Sequence, residues 1–244
     1  MDTGVWVTWY DLAESGRDEY CAWLHGAFMP QLLARPGYRW AAHYATVDKG
    51  VRRTNARDTR NNTDDPTVPR GDRFLLLVGA DNADVFGNPT PTALQAQQPA
   101  QGRKMLALRS GERMNIFVEA GRVEGPEAKD YREGMLLAPC IQVGAYNCPW
   151  QDEEEMLAFY SQWRMPAMGR TTGCVRIRKL ASVAGWAKHG ILYEFISLEA
   201  RNQHFIGHED AHPDMKAWGD KVTKRLTHAP GSSTLATRLW PAIQ

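Results

Sequence analysis

The chain has 244 residues, of which 43% are hydrophobic and 23% charged, so it is long and apolar enough to fold around a substantial core. A formal net charge of +1 gives no overall field that would attract nucleic acid or an anionic membrane, and we expect neither as a partner. No apolar run reaches the roughly 18 residues of a membrane helix, no leader pattern is present, and the four cysteines form no C-x-x-C pair, so a cytoplasmic location is expected.

The first 47 residues predict a strand, a helix and a second strand. Val5–Tyr10 is rich in β-forming residues. Ser15, followed by Asp18 three residues later, resembles a capping box at a helix N-terminus, and apolar residues then recur at helical spacing. Gly37 permits a reversal of the chain, after which an extended segment covers residues 38–47.

The middle of the chain is less regular. Residues 48–72 form a long charged connection, for which we expect either a lid or, in preference, a disordered loop. A third strand is predicted at Phe74–Ala80 and a last one at Asn115–Ala120. Three prolines between residues 89 and 99 interrupt the helical pattern, so no second helix is distinct there.

The second half of the chain repeats the first at a constant offset of 136 residues. Residues 5–47 align with residues 141–183 without a gap, which is the signature of an internal repeat. Matching positions include Val7 with Val143, Tyr10 with Tyr146, Pro30 with Pro166 and Gly37 with Gly173. Each copy has the element order βαββαβ of a ferredoxin-like unit. We therefore predict one copy at residues 1–120, a linker at 121–138 and a second copy at 139–244.

One stretch of the first copy carries a family resemblance. It reads Trp23-Leu-His25-Gly-Ala-Phe-Met-Pro30-Gln-Leu-Leu-Ala-Arg-Pro36-Gly37, a helix with a histidine, then a proline, then a Pro-Gly turn. This pattern resembles the EthD-like proteins of the dimeric α+β barrel superfamily. The resemblance implies an α+β fold in which two tandem ferredoxin-like βαββαβ units form an intramolecular barrel. It also implies a small organic ligand, and a monomer or a homodimer of tandem chains.

The superfamily includes cofactor-free monooxygenases, polyketide cyclases, lactone isomerases, haem enzymes and ligand-sensing domains without catalysis. The sequence has no dinucleotide-binding, Walker or nucleophile-elbow motif and no haem attachment motif, so no cofactor is expected. The leading hypothesis is a cofactor-independent lyase, isomerase, cyclase or oxygenase acting on a small aromatic or polyketide-like compound. The alternative is a non-catalytic protein of the same fold that binds or senses such a compound.

The candidate catalytic residues are His25, His43 and Tyr10. At the repeat offset, Ser161 and Lys179 replace the two histidines, so only the first copy has a pair of imidazoles for acid–base chemistry. His25 could equally be a partly exposed helix histidine bonded to a backbone carbonyl, and His43 could equally be an interior polar group with satisfied hydrogen bonds. The recurrence of Tyr10 as a tyrosine in the second copy favours a structural role for that phenol.

Four aromatic residues of the first copy are the candidate substrate-binding walls: Trp9, Trp23, Trp40 and Tyr44. Strand alternation creates a difficulty, because Trp40 and His43 must point to opposite faces of their strand. The charged connection at residues 48–72 belongs to the same copy and would cover the opening if it were a lid.

A second histidine group recurs at four-residue spacing, as His204, His208 and His212. On a helix the first two could share a metal ion. Pro213 biases His212 away from helical geometry, and no carboxylate lies at a recognised metal-ligand spacing. We therefore expect a solvated helix end and no metal site.

Overall fold

A closed barrel of eight antiparallel strands forms the centre of the computed structural model, which describes residues 2–47, 61–131 and 137–242. The ten strands are β1 Gly4–Leu12, β2 Tyr38–Thr46, β3 Asn61–Asn62, β4 Phe74–Ala80, β5 Arg109–Glu124, β6 Cys140–Asn147, β7 Cys174–Gly185, β8 His189–Phe195, β9 Thr227–His228 and β10 Thr234–Trp240. Around the barrel the order is β10-β2-β4-β1-β5-β7-β8-β6, and pairing of β6 with β10 closes it. The two-residue strands β3 and β9 extend the sheet beside β6.

Each half of the barrel has the same strand order. The first half runs β2-β4-β1-β5 and the second runs β7-β8-β6-β10, which is the ferredoxin-like arrangement of a βαββαβ unit. The halves join through two antiparallel pairs, β5 with β7 and β10 with β2. The predicted fold, two ferredoxin-like units in one intramolecular α+β barrel, is confirmed.

Helices cover the outside of the barrel. They are α1 Arg17–Trp23, α2 Met29–Leu33, α3 Pro91–Ala96, α4 Ala100–Leu106, α5 Glu153–Phe159, α6 Met165–Met168, α7 Leu198–Ala200 and α8 Pro213–Thr223. Single π-helical turns lie at Leu24–Phe28, Tyr160–Arg164 and Arg201–Phe205, and short 3₁₀ turns lie at Ala83–Gly87, Ala128–Asp130 and Trp150–Asp152. No helix among the described residues is long and apolar enough to cross a membrane.

The repeat offset extends to details of the backbone. Helices α1 and α5 begin at Arg17 and Glu153, which are 136 residues apart, and the π turns that follow them begin at the same offset. The turn into the second strand of each unit uses a glycine with positive φ, 82° at Gly37 and 79° at Gly173. A side chain is strained in that conformation, so both glycines are required by the turn.

Some predicted boundaries differ from the structure. Strand β5 continues to Glu124 and pairs there with Arg176, so the segment predicted as a linker begins inside the barrel. The capping box predicted at Ser15 does not form, because Gly16 is the N-cap and no side chain caps the helix. The prolines before residue 100 do not prevent helices, since Pro91 occupies the first helical position, where its missing N–H costs nothing.

The predicted loop at residues 48–72 lies partly outside the described residues, at 48–60. The remainder is held against the barrel and is not a disordered segment. Asn61–Asn62 pairs with Thr227–His228, and Val68 is buried. The buried guanidinium of Arg113 donates to the carbonyl oxygens of Pro69, at 3.3 Å, and of Gly71. A buried cation needs such acceptors, which explains why this part is ordered.

Side chains alternate between the barrel interior and the layers under the helices. The interior core contains Trp9, Trp40, Tyr44, Leu75, Leu77, Phe117, Val143 and Leu192, among others. The layer under the helices of the first half contains Tyr10, Tyr20, Leu24, Phe28, Leu76 and Phe86. The corresponding layer of the second half contains Tyr146, Phe159, Tyr160 and Tyr193. The described residues therefore form three separate cores, and two of them lie between sheet and helix.

Gly79 is the position in β4 where the interior is packed most tightly. A Cβ atom there would lie 2.0 Å from Cε2 of Trp40, whose indole N–H is fixed by a 2.7 Å bond to Asp2. We expect Gly79→Ala to lower the free energy of unfolding by about 1–3 kcal/mol, the usual effect of overpacking. Gly87→Ala is the control, because nothing lies within 4 Å of its added Cβ. Equal urea midpoints for the two variants would contradict this account.

Candidate functional site

His25, His43 and Tyr10 meet in the layer between the sheet and the first helices. Nε2 of His25 lies 2.8 Å from Nδ1 of His43, and Nε2 of His43 lies 2.9 Å from the Tyr10 hydroxyl. His25 lies in the π turn after α1, His43 in β2 and Tyr10 in β1. His43 and Tyr10 are fully buried, while His25 is partly exposed. The three predicted side chains therefore form one hydrogen-bonded row that leads inward from the surface.

The row continues beyond Tyr10 to a buried cation. The Tyr10 and Tyr20 rings pack edge to face with centroids 5.7 Å apart, and their phenol groups interact. Arg109 donates from Nε to the Tyr20 hydroxyl at 2.7 Å and from Nη1 to Glu112 at 3.0 Å. Its guanidinium carbon lies 4.5 Å from the centre of the Tyr10 ring. Sequence reasoning placed Tyr20 only in an apolar stripe and did not find Arg109.

The direction of one hydrogen bond in this group is fixed. A guanidinium can only donate, so the Tyr20 oxygen accepts from Arg109. In the tautomer in which Tyr10 donates to Nε2 of His43, Nδ1–H of His43 donates to Nε2 of His25. In that arrangement His25 carries its own proton on Nδ1. The outer end of the row is therefore an N–H donor.

Burial keeps both imidazoles neutral. It holds the pKa of His43 well below its ordinary value, and the neighbouring His25 and Arg109 act in the same direction. Burial also lowers the pKa of His25. For Tyr10, burial and the Tyr20 phenol raise the pKa well above its ordinary value, although Arg109 opposes them. Near neutral pH the whole row is uncharged as far as Arg109, which suits it to pass protons.

Two aromatic rings and a thiol surround the histidines. Trp240, from the last strand of the second half, stacks on His25 with ring centroids 5.9 Å apart. Phe74 stacks on His43 at 5.7 Å. The ligand atoms of Cys21, His25 and His43 all lie within 4.8 Å of one another. The site therefore uses residues from both halves of the chain.

Three of the four predicted aromatic walls do not line this site. Trp9, Trp40 and Tyr44 point into the barrel interior, because strand alternation puts them on the face opposite Tyr10 and His43. The Tyr44 hydroxyl donates to the carbonyl of Ala138 at 2.8 Å, which is a structural contact. Only Trp23 lies in the layer under the helices, where it stacks on Phe28 at 5.2 Å.

The equivalent layer of the second half has different chemistry. Ser161 replaces His25 and donates to the carbonyl of Leu157 within its own helix. The π turn there supplies Arg164, which forms an ion pair with Glu209. In the described part of the chain, no hydrogen bond joins Tyr146 to a histidine. The rings of His189 and His228 lie 5.9 and 5.5 Å from that of Tyr146, but the repeat positions of His25 and His43 hold no imidazole.

The histidines at 204, 208 and 212 are not arranged on one helix. The helix of His204 ends at Phe205, and α8 begins only after His212. Nδ1 of His208 lies 2.6 Å from the carbonyl oxygen of Phe205, and Nε2 of His208 lies 3.4 Å from Nη1 of Arg164. Burial and Arg164 lower the pKa of His208 to about 4. The expected solvated helix end is thus wrong for His208, which is a neutral, internally bonded side chain.

The cluster of possible metal ligands lies elsewhere. Among the described residues, one group of cysteine, histidine or carboxylate side chains is close enough to hold an ion. It consists of Cys21, His25 and His43. The sequence contained a signal for it, since Cys21 and His25 have the i, i+4 spacing that brings ligands together on a helix. Without the position of His43 that spacing was not distinctive.

No family model and no curated protein matches the sequence. Solved structures match its fold. An anthrone oxidase-like protein gives a TM-score of 0.61 at 10% identity, covering 98% of this chain and 91% of that one. A protein of Fusobacterium nucleatum, named as a candidate monooxygenase, gives 0.58 at 6% identity, covering 98% and 93%. A DyP-type peroxidase from Mycobacterium smegmatis gives 0.52 at 13% identity, covering 98% and 93%.

Identities this low establish the fold alone. The specific resemblance to EthD-like proteins stays a prediction, because none of these structures bears on it. Together with the strand order and the closed barrel, the comparisons show that the chain has the ferredoxin-like α+β barrel fold.

Proposed function

We propose that the protein is a cofactor-independent enzyme acting on a small aromatic or polyketide-like compound, with His25 as the group that meets the substrate. The observation that carries the proposal is the hydrogen-bonded row from buried Tyr10 through His43 to partly exposed His25, with the Arg109 guanidinium 4.5 Å from the centre of the Tyr10 ring. A packed structural core has no need for two neutral imidazoles in series, one of which reaches the surface.

The direction of the row defines the chemistry. Nδ1–H of His25 donates to a substrate oxygen on which negative charge develops, such as an enolate or phenolate oxygen. As that proton leaves, His43 replaces it through Nε2 of His25, and Tyr10 replaces the proton of His43. The resulting negative charge lies on Tyr10, and the Arg109 guanidinium 4.5 Å from its ring centre stabilises it. Lyase, isomerase, cyclase and oxygenase reactions that start from a phenol or an enolisable carbonyl use such oxyanions.

The shape of the surroundings supports an aromatic or polyketide-like substrate. Trp240 stacks on His25, and Trp23, two residues before His25, lies in the same layer. Flat apolar surfaces beside a single N–H donor favour a flat molecule with one oxygen to orient. The name of the anthrone oxidase-like structure refers to an aromatic compound, although that protein shares only the fold with this chain.

The proposal is tested first by ligand binding. A panel of phenolic and polyketide-like compounds is screened for an increase in melting temperature, since a ligand that binds the folded state stabilises it. We expect His25→Ala to weaken the affinity for the best compounds about tenfold, because one hydrogen bond to the ligand is lost. Ser161→Ala is the matched control in the second half. If both variants bind like the parent, the site is placed wrongly, and binding without turnover by the parent would favour the non-catalytic alternative.

A further inference from the structure

Cys21, His25 and His43 bring one sulfur and two nitrogens close together. Cys21 lies in α1 and His25 four residues later in the π turn, while His43 reaches them from β2. All three ligand atoms lie within 4.8 Å of one another. One thiolate and two imidazoles are ligands of the kind that zinc takes in proteins, and three protein ligands leave a fourth position open. We propose that these three residues bind Zn²⁺.

The orientation of His43 is already that of a metal ligand. Its Nδ1 faces Nε2 of His25, and its other nitrogen is held 2.9 Å from the Tyr10 hydroxyl. Metal-bound histidines usually have their second nitrogen fixed by such a partner. Zinc–nitrogen distances of about 2.0–2.1 Å in a tetrahedron need the two nitrogens to separate by only about 0.5 Å from their present 2.8 Å.

The composition of the cluster selects the ion. Among the described residues no carboxylate belongs to the group, so hard cations such as Mg²⁺ and Ca²⁺ are disfavoured, and a thiolate with imidazoles favours zinc. The buried Arg109 lies beyond Tyr10 and opposes a second positive charge. The negative thiolate of Cys21 offsets part of that repulsion, which makes the sulfur the decisive ligand.

Zinc would occupy the two atoms that form the hydrogen bond between the histidines. Nε2 of His25 and Nδ1 of His43 cannot bind the ion and exchange a proton at the same time. Bound zinc is therefore an inhibitor of the proton row. This last point rests on the proposed function, whereas zinc binding does not.

Binding is measured on the full chain after treatment with a chelator. Zinc chloride is titrated in competition with a chromophoric chelator, and cobalt chloride is titrated separately to detect a thiolate-to-cobalt absorption band. We expect one equivalent of either metal per chain. Cys21→Ser is expected to abolish the thiolate band and to weaken zinc at least tenfold, and His43→Ala to weaken zinc similarly. Cys148→Ser, a half-buried cysteine outside the cluster, should bind zinc like the parent.

Three results would overturn the site: no saturable binding by the folded parent, a thiolate band that survives in Cys21→Ser, or a band lost in Cys148→Ser. Melting curves of the chelator-treated variants establish that each is folded. If zinc binds as expected but does not slow turnover, the metal site stands and the proton row is wrong. If Cys21→Ser loses both its affinity for zinc and its inhibition by zinc, the result supports the metal site and the proton row.

Discussion

Replacing His43 by glutamine is expected to lower kcat by about 10²–10⁴-fold, the usual contribution of a positioned acid–base group. Glutamine can fill the space between His25 and Tyr10 and make hydrogen bonds to both, but it cannot accept a proton on one side while releasing one on the other. Steady-state turnover of a substrate identified by the ligand screen measures the effect. The binding of that substrate is expected to change much less, because His43 is fully buried and His25 lies between it and the surface.

Lys179→Gln provides the matched control for this prediction, since Lys179 occupies the position of His43 at the repeat offset. Tyr10→Phe removes only one hydroxyl from the row and should give a smaller but clear loss of kcat. Tyr146→Phe, its counterpart in the second half, should leave kcat within about twofold of the parent, as expected for a residue remote from the chemistry. A normal kcat for both His43→Gln and Tyr10→Phe would eliminate the proton row from the mechanism.

Asp2→Ala is expected to lower the free energy of unfolding by about 3 kcal/mol, because it leaves a buried arginine partly uncompensated. The Asp2 carboxylate lies 2.8 Å from Arg178 and 2.9 Å from Arg122, and it accepts from the Trp40 indole N–H at 2.7 Å. Only 1% of the Arg178 side chain is exposed. Glu194 remains 3.3 Å from Arg178 in the variant, which keeps the loss at the lower end of the usual range.

The control for Asp2 is Asp81→Ala, which removes an equally close ion pair with Arg39 at the surface. There 54% of the Arg39 side chain is exposed, so solvent screens the interaction and the expected loss is much smaller than for Asp2→Ala. Chemical denaturation of both variants at neutral pH gives the comparison. Equal losses would show that the interior ion pairs contribute no more than surface ones.

The contribution of Asp2 should also depend on pH. Burial by itself would raise the pKa of this carboxyl, but Arg178, with hydrogen bonds from Trp40 and Arg122, holds it well below its ordinary value. A depressed folded-state pKa stabilises the protein above the unfolded value of about 3.9 and loses that effect as the pH falls. The difference in stability between parent and Asp2→Ala should therefore shrink steadily below about pH 4. A difference that grows on acidification would contradict the ion-pair account.

The barrel was predictable because local patterns and the repeat agree with each other. The third strand at Phe74–Ala80 was predicted with both ends correct, and the turns at Gly37 and Gly173 lie where the pattern placed them. The predicted ends of elements were wrong where pairing with a strand distant in sequence makes an element longer. Strand β5 continues to Glu124 because β7 offers a partner there, and nothing in the local sequence indicates that partner.

The site was predictable only in part, for a similar reason. His25, His43 and Tyr10 were recognisable as polar residues on adjoining elements of one copy, and the structure brings them together. Arg109 lies 89 residues from Tyr20 in sequence, and Trp240 comes from the other half, so neither contact follows from local spacing. The prediction of the aromatic walls was wrong for a different reason. Strand alternation turns Trp40 into the barrel, and this alternation was already evident in the sequence.

Closure of the barrel within one polypeptide has a consequence for how such a protein can change. In a barrel of two identical subunits, every substitution appears twice, so a change that improves one side of the barrel also alters the other side. Here the two π turns hold equivalent places, yet one carries His25 and the other carries Arg164. A single gene can alter one of them and leave the other untouched. The two halves can therefore carry different side chains at equivalent positions, and symmetry no longer constrains either one.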